Sequence, residues 1–440
     1  PIHNRIIDDM HFVSTKSNLQ VSIEEAIFGG TAPDGGLYVP SLIPEIDLDD
    51  FKTMDNYQEF SIQFLSPFFV NSIIKDNLEN IVNESLNFDV IQSDIDTGKQ
   101  SLSMLELFHG PTAAFKDFGA RFLSSTMKAI NQESGNHKMN TILVATSGDT
   151  GGAVASAFHN QPGFDVVVLF PKGRVSPRQQ HQLTCWGDNV TSIAVEGEFD
   201  DCQHLVKAAF NEDQMIDQNL CSANSINIGR LLPQATYYAW SSMQYFKKHS
   251  KETNYIIPTG NLGNAFACFI AKKMGFPIGK IVFSTNSNKT IIDFIESSVW
   301  EPRNTIPTLA SAMDVGNPSN MERFFHSYDS QSLAQSLEAY SVNDQQIKEQ
   351  IKKEYDNHQI ICCPHTATAF SVYRDFPDDT KDNNHWSLVS TAHPAKFENI
   401  VEPIIDEVIK VPNSLSRLLK LDSSFISIEP RLEKLMDIIL

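Results

Sequence analysis

The sequence is short of basic residues. Its 440 residues include 34 lysines and arginines against 54 aspartates and glutamates, which gives a formal net charge of −20. A surface that binds a nucleic-acid backbone needs clustered positive charge, so this balance argues against nucleic acid as a partner. An anionic small molecule would instead need a cleft that gathers a few basic groups locally.

The sequence also lacks paired cysteines and long hydrophobic runs. None of the six cysteines forms a Cys-x-x-Cys pair, so no zinc ligand set is indicated and we expect no metal. No apolar run approaches the ~18 residues of a membrane span, and the N-terminus has no signal-peptide pattern. We therefore expect a protein of the reduced cytoplasm with no membrane partner.

The length of the chain predicts two or three domains, because a single simple core does not grow to this size. From about residue 140, short apolar runs alternate with amphipathic segments, as in 141-TILVAT-146 followed by 151-GGAVASAFHN-160. Strands that alternate with helices predict parallel sheets covered by helices on both faces. Ligands of such sheets bind at the carboxyl ends of the strands, so chemistry is expected in the loops there.

The loop 145-ATSGDTGGA-153 lies between a predicted strand and a predicted helix. Its small residues and hydroxyls stand where the amides of a helix N-terminus are free, which favours a bound carboxylate or phosphate. A plain capped helix is the alternative, because Ser, Asp and Thr are good N-caps. The loop has neither the Gly-Lys-Ser/Thr of a nucleotide-binding P-loop nor a Gly-x-Gly-x-x-Gly fingerprint, which argues against a nucleotide.

Two further loops have the same character. In 258-PTGNLGNAFA-267, Gly260 and Gly263 open a helix and suit a phosphate held by backbone amides. In 224-NSINIGRLLPQ-234, Arg230 follows two asparagines and a serine, and its planar fork matches phosphate or carboxylate. An ordinary turn and a surface arginine are the alternatives, but three such loops in one chain favour anion sites.

One lysine stands in an unusual frame, 109-HGPTAAFKDFGARF-122. Lys116 lies between Phe115 and Asp117, and Phe118 follows. A surface lysine at a helix start is the ordinary interpretation. The sharper hypothesis is an amine held out of water, because an apolar frame lowers the pKa of an amine that must react.

Together these motifs resemble the threonine synthase family, and within it the longer bacterial and fungal branch. Threonine synthases are pyridoxal-phosphate (PLP) enzymes of fold type II. The resemblance rests on FKDFG at 115–119, SGDTG at 147–151, GNLGN at 260–264, PHTATA at 364–369 and the opening PDGGLYVP at 33–40. It runs from about residue 12 to about residue 400. It implies two parallel-sheet, three-layer α/β/α domains with the active site in the cleft between them, plus an N-terminal domain.

The division of the chain that we predict on this basis has three parts. The N-terminal domain covers 1–95, the large PLP-binding domain covers 96–123 and 226–440, and the small α/β domain covers 124–225.

The resemblance also implies a role for individual residues. Lys116 is the catalytic residue and bonds covalently to PLP. The other implied cofactor contacts are Asp149, Gly260, Asn261, Leu262, Gly263, Asn264 and Thr366, with Thr368 in reserve for the pyridine nitrogen. The implied substrate contacts are Thr146, Ser147, Gly148 and Thr150 at the α-carboxylate, and Asn224, Ser225 and Arg230 at a phosphate. Arg121 and Asp117 lie within the pattern without an assigned role.

The implied activity is that of a PLP-dependent lyase that converts O-phospho-L-homoserine and water to L-threonine and phosphate. This is a γ-elimination followed by β-addition of water, the last step of threonine biosynthesis, carried out by a monomer or homodimer. The alternative is another fold type II lyase, either a serine/threonine dehydratase or a related phospholyase. A dehydratase substrate carries no phosphate, so the cluster from Asn224 to Arg230 favours the first interpretation.

Overall fold

The computed structural model describes residues 10–440, so residues 1–9 of the predicted N-terminal domain lie outside it. Its strands are β1 Phe12–Ser14, β2 Gln20–Val21, β3 Tyr38–Pro40, β4 Ile91–Ile95, β5 Ser101–Glu106, β6 Asn140–Ala145, β7 Phe164–Pro171, β8 Val190–Val195, β9 Leu220–Ser222, β10 Thr253–Pro258, β11 Ile278–Thr285, β12 Glu338–Ser341, β13 His385–Ser390 and β14 Ile426–Ile428.

The α-helices of the same residues alternate with these strands. They are α1 Ile23–Gly29, α2 Tyr57–Leu65, α3 Leu78–Ser85, α4 Lys116–Ser134, α5 Asp149–Phe158, α6 Pro177–Thr184, α7 Phe199–Phe210, α8 Ile228–His249, α9 Gly263–Met274, α10 Thr290–Ser297, α11 Met321–Ser327, α12 Ser330–Ser336, α13 Asp344–His358, α14 Pro364–Asp375, α15 Asp378–Lys381, α16 Glu398–Ile405, α17 Asn413–Leu418 and α18 Leu432–Ile439.

Three sheets organise these elements. The small sheet has the strand order β14-β8-β7-β6-β9 and is parallel throughout. The large sheet has the order β12-β11-β10-β13-β5-β4 and is parallel except for β4, which runs antiparallel to β5. A third, antiparallel sheet of β2, β1 and β3 belongs to the N-terminal domain. The predicted α/β fold with two parallel sheets and an N-terminal domain is confirmed.

The sequence of the central strands explains their position. Every residue of β10 and of β13 is buried, and β6 is buried except at its last residue. Strands that are covered by helices on both faces read as nearly continuous apolar runs rather than as alternating ones. The apolar run after residue 140 therefore predicted an interior strand, and the structure places it there.

Helices α4 and α8 pack against each other. Gly119 of α4 lies so close to α8 that a β-carbon there would stand 2.7 Å from the carbonyl oxygen of Arg230. Small residues allow two helix backbones to approach in this way. Because α4 begins at Lys116 and α8 begins just before Arg230, this packing sets the lysine beside the arginine.

The predicted division of the chain differs from this arrangement in three places. Strand β4 lies before residue 96 but pairs with β5 in the large sheet. Helix α4 continues through the boundary drawn at 123. The last segment of 226–440 returns to the small domain, where β14 pairs with β8 and α18 packs against α7. Strand β14 has only three residues, so its hydrophobic pattern is too short to indicate which strand it pairs with.

Within residues 10–440, no helix combines the length and the hydropathy that a membrane-spanning helix requires.

Candidate active site

Lys116 is the first residue of α4, and its side chain is partly buried. Its Nζ atom lies 5.9 Å from the centre of the Phe115 ring. Burial lowers the pKa of the Lys116 amine from its ordinary value to about 8, and the charges of Arg230 and Lys396 lower it further while Asp149 opposes them. An amine with this pKa is partly neutral near physiological pH and can accept a proton or attack a carbonyl.

Asp117 organises the turn before this lysine. Its Oδ2 atom accepts a hydrogen bond of 2.9 Å from the Thr112 amide, and its Oδ1 atom accepts one of 2.6 Å from the Thr112 hydroxyl. Gly110 packs against the same carboxyl group, so closely that a β-carbon there would lie 2.5 Å from Oδ2. Asp117 therefore has a structural role: it fixes the chain that leads into Lys116.

Arg121 points away from the site. Its guanidinium donates hydrogen bonds to the carbonyl oxygens of Ser85 and Glu84, at 2.9 and 2.7 Å, and to the side chain of Asn87. Those carbonyls close the C-terminal end of α3, where a helix lacks internal donors and favours a cation. Arg121 thus attaches α4 to the N-terminal domain.

The loop between β6 and α5 combines a rigid frame with free donors. The Thr146 hydroxyl accepts hydrogen bonds from the amides of Gly148 and Gly151, at 3.0 and 2.9 Å, and donates to the Gly148 carbonyl. The hydroxyls of Ser147 and Thr150 are partly exposed and have no partner among the described residues. Of the predicted carboxylate contacts, Thr146 and Gly148 therefore shape the loop, while Ser147 and Thr150 remain available to a ligand.

Asp149 meets a lysine that sequence reasoning missed. Its Oδ1 atom lies 2.7 Å from the Nζ atom of Lys396, and the side chains of both residues are almost completely buried. Although burial opposes ionisation, the charges of Lys396 and then of Lys116 hold the pKa of the Asp149 carboxyl well below its usual range. Lys396 lies just after β13, at the carboxyl end of a parallel strand, so a search of every such loop could have found it.

The loop from Gly260 to Asn264 follows β10 and opens α9. Leu262 has a φ of 63°, a left-handed conformation that turns the chain sharply into the helix. Asn264 stabilises this turn with its side chain, which accepts from Thr259 and from the Ala265 amide and donates to the Pro258 carbonyl. The amides of Gly260 through Gly263 donate to no acceptor within the described chain, and such a group of free amides at a helix start suits a phosphate.

Arg230 is fully buried and has no carboxylate partner in the described structure. Its Nη1 atom donates a hydrogen bond of 2.7 Å to the Ala223 carbonyl, and its Nε atom is buried without any partner. Burial lowers the pKa of Arg230 to about 10. A buried donor left without an acceptor costs about 1–3 kcal/mol, so this guanidinium is arranged to meet an anion.

Thr366 and Thr368 differ in what their hydroxyls already contact. Thr368 donates to the His365 carbonyl at 2.7 Å and lies 2.8 Å from the Ser284 hydroxyl. The Thr366 hydroxyl lies 3.1 Å from that of Ser390 and 3.3 Å from the Cys363 sulfur, with donor and acceptor roles interchangeable. Thr366 therefore stays the candidate for the pyridine nitrogen, because the Thr368 hydroxyl hydrogen is committed to a carbonyl.

His365, next to these threonines, is neutral. Its Nε2 atom accepts a hydrogen bond of 3.0 Å from the Ala312 amide, and burial lowers the pKa of the imidazole to about 4. The charged groups that act on Lys116 are then Asp149, Arg230 and Lys396. Two cations beside the reactive amine and a single carboxylate give this acidic protein the locally positive site that an anionic ligand requires.

The residues present fit PLP on these observations. The free amides from Gly260 to Gly263 suit its phosphate, and the Lys116 amine suits its aldehyde. Arg230 and the hydroxyls of Ser147 and Thr150 remain for a second ligand that carries two anionic groups of its own. The predicted contacts are thus brought to one site, and the individual roles stay predictions.

Comparisons with known proteins agree with this arrangement. Residues 96–389 match the family model described as pyridoxal-phosphate dependent enzyme, residues 11–86 match threonine synthase N terminus, and residues 366–439 match threonine synthase, C-terminal. A threonine synthase of Buchnera aphidicola subsp. Baizongia pistaciae is 36% identical over 97% of this chain and 98% of its own length.

Solved structures show the same likeness in three dimensions. The crystal structure of threonine synthase from Escherichia coli superposes with a TM-score of 0.87 at 32% identity, covering 98% of this chain and 99% of that one. The structure of PLP-bound threonine synthase from Brucella melitensis gives a TM-score of 0.89 at 31% identity, with the same coverage.

Proposed function

Because the chain belongs to the threonine synthase family of PLP-dependent lyases, we propose that it converts O-phospho-L-homoserine and water to L-threonine and phosphate. The family resemblance that the motifs indicated is confirmed, and the cofactor is PLP. The substrate, the residue roles and the cellular location are proposals.

The state of Arg230 is the observation that best supports O-phospho-L-homoserine as the substrate. Arg230 is a buried guanidinium whose Nε atom has no hydrogen-bond partner among the described residues, and its charge lowers the pKa of the Lys116 amine. In this proposal the amides from Gly260 to Gly263 hold the cofactor's own phosphate, which leaves Arg230 for a second phosphate. Asn224 and Ser225 lie in the loop that leads into Arg230, and the proposal assigns them to the same phosphate. A phosphorylated substrate would supply an anionic partner for the buried guanidinium of Arg230, whereas the side chain of serine or threonine would not.

The substrate's other anionic group, its α-carboxylate, is assigned to the start of α5. There the hydroxyls of Ser147 and Thr150 are free, and the helix dipole favours a negative charge. Thr146 holds the loop in shape through its hydrogen bonds to Gly148 and Gly151. Two anion sites on different loops orient the substrate along the cleft and place its Cα next to Lys116.

Bound PLP supplies an electron sink that stabilises negative charge at the substrate carbons. Lys116 holds the cofactor covalently between reactions and removes the proton from the substrate Cα. Burial lowers the pKa of its amine to about 8, which suits proton transfer in both directions. Thr366, a hydroxyl rather than a carboxylate, faces the pyridine nitrogen in this proposal.

The test is an assay of phosphate and threonine with the PLP-loaded protein and O-phospho-L-homoserine. We expect equal amounts of both products, and we expect Lys116→Ala to lose both the activity and the visible absorption of the lysine-bound cofactor. Lys128→Ala is the matched control, because Lys128 lies on the same helix and pairs with Glu84 at the surface. A protein that deaminates serine or threonine but releases no phosphate from O-phospho-L-homoserine would be a dehydratase, and the proposal would be wrong.

We further infer a cytoplasmic location and a monomeric or homodimeric state. All six cysteines are free and buried, which suits a reducing compartment. Light scattering on the purified protein measures the oligomeric state directly.

A further inference from the structure

The ion pair between Lys396 and Asp149 is the most deeply buried ion pair among the described residues. The Lys396 side chain is 1% exposed and that of Asp149 is 4% exposed. Besides Asp149, the ammonium donates a hydrogen bond of 2.7 Å to the carbonyl of Thr112, the residue that Asp117 anchors. Burying two charges costs desolvation free energy, which their attraction often does not repay. We therefore expect this ion pair to have a role other than stabilising the fold.

The two oxygens of Asp149 have different surroundings. Oδ1 lies against Lys396 and also accepts a hydrogen bond of 3.2 Å from Gln179 Nε2. The other end of the Gln179 amide is held by the Ser176 hydroxyl at 2.9 Å, which fixes the direction of that donor. Oδ2 accepts no hydrogen bond from any residue within 10–440. The carboxylate is thus anchored through one oxygen and leaves the other as an acceptor for a ligand.

We propose that Lys396 is a positioning residue that keeps Asp149 ionised and presents its Oδ2 atom to the ring hydroxyl of PLP, so that this hydroxyl keeps its proton. The inference rests on the proposed function, because the family resemblance is what sets Asp149 opposite that hydroxyl. An ionised carboxylate and an ionised ring oxygen would repel each other, so one proton must lie between them. With Lys396 as counter-ion, the proton belongs to the ring hydroxyl.

No other group facing Asp149 takes the place of Lys396. Lys116 lies nearby and its charge also lowers the pKa of Asp149, but it forms no ion pair with that carboxylate within residues 10–440. His365 is neutral, since its Nε2 atom accepts a hydrogen bond from a backbone amide. Gln179 carries no charge, and Arg230 forms no ion pair with the carboxylate within the described residues. Lys396 is therefore the one cation committed to Asp149 among the described residues.

The experiment follows the visible absorption of the PLP-loaded protein as a function of pH. Lys396→Met removes the charge and leaves an unbranched side chain that is one atom shorter. Asp149 then takes up a proton as the pH falls, and we expect a spectral step with a midpoint between about pH 6 and 9, the range that unpaired buried carboxyls reach. We expect no such step in the wild type. We also expect none in the double variant Lys396→Met with Asp149→Asn, which has no carboxyl to titrate.

Lys381→Met is the matched control. Lys381 is also nearly buried and donates to a backbone carbonyl, that of Arg374. It precedes β13 whereas Lys396 follows it, which separates the two lysines by about 20 Å of strand. We expect Lys381→Met to change the thermal stability without adding a spectral step. A Lys396→Met protein that binds PLP and shows no such step overturns the proposal.

A second variant covers the case in which Lys396→Met does not fold. Asp149→Asn keeps the shape of the side chain and replaces the anchored carboxylate by an amide, so we expect its absorption maximum to shift from that of the wild type. An unchanged maximum contradicts the proposal. Failure of the proposed function is separate, because it appears in the wild type as absence of PLP binding or of phosphate release.

Discussion

The side-chain amide of Asn261 donates a hydrogen bond of 2.6 Å to the hydroxyl of Ser225. The contact joins the loop assigned to the cofactor's phosphate with the loop assigned to the substrate's phosphate. The Oδ1 atom of Asn261 accepts a hydrogen bond of 2.6 Å from the Ser319 amide, so this side chain is held at both ends. The positions of the two proposed phosphate sites are therefore linked through this contact.

Ser225→Ala tests this connection. The variant removes the acceptor of the Asn261 amide, and the loss of one neutral hydrogen bond costs about 1 kcal/mol. We expect KM for O-phospho-L-homoserine to rise about fivefold and PLP to bind more weakly, as measured by phosphate release and by spectral titration. Ser297→Ala, at an exposed hydroxyl bonded to the Asp293 carbonyl, should change neither value. If Ser225→Ala also leaves both unchanged, the two loops are independent.

Arg230→Ala separates the substrate's phosphate from the cofactor's. A hydrogen bond between charged groups contributes about 1.5–3 kcal/mol, so KM should rise by about 10- to 100-fold while PLP stays bound. Arg230→Lys keeps the charge without the planar fork and should give an intermediate KM. Arg174→Ala is the control, because Arg174 pairs with Glu198 at the surface. Loss of PLP binding in Arg230→Ala would show that the phosphate sites are wrongly assigned.

The lowered pKa of Lys116 predicts how the protein takes up PLP. Only the neutral amine attacks an aldehyde, so the rate of reconstitution of the PLP-free protein should rise as the pH increases through about 8 and then level off. An ordinary lysine would give a midpoint near 10.4. In Asp149→Asn the midpoint should fall, because the carboxylate is the group that raises the pKa of this amine. Stopped-flow absorbance measures the rate, and a midpoint near the ordinary value would contradict the assigned burial.

Asp117→Asn tests the turn before Lys116. Both carboxylate oxygens accept hydrogen bonds from Thr112. In asparagine one of these oxygens is replaced by an NH2 group, which would face the amide or the hydroxyl of Thr112 without accepting its hydrogen bond. We expect the free energy of unfolding of the PLP-free protein to fall by about 1–3 kcal/mol in urea titrations. Thr112→Val should lower the free energy of unfolding by less in the Asp117→Asn protein than in the wild type, since the two residues share the contact. Full additivity would mean that the pair is not coupled.

Much of this site could be predicted because it depends on patterns that are local in sequence. Strands β6 and β10 are short apolar runs, each is followed by a loop rich in glycine, hydroxyls or amides, and a helix begins directly after it. Periodicity and turn chemistry act over a few residues, so they can be inferred without knowing what lies nearby in space. The same is true of Lys116, because the apolar residues that surround it in the sequence are its immediate neighbours.

What only the tertiary structure decided are the contacts between loops that are far apart in the chain. Nothing around Lys396 in sequence indicates that it meets Asp149, and nothing around Arg121 indicates that it closes the end of α3. Strand β14 is likewise too short for its pattern to name β8 as its partner. Such contacts arise when parallel strands bring their carboxyl ends to one edge and two domains close a cleft. Low local dielectric then makes the charges that meet there interact strongly, and that interaction sets the protonation state of the site.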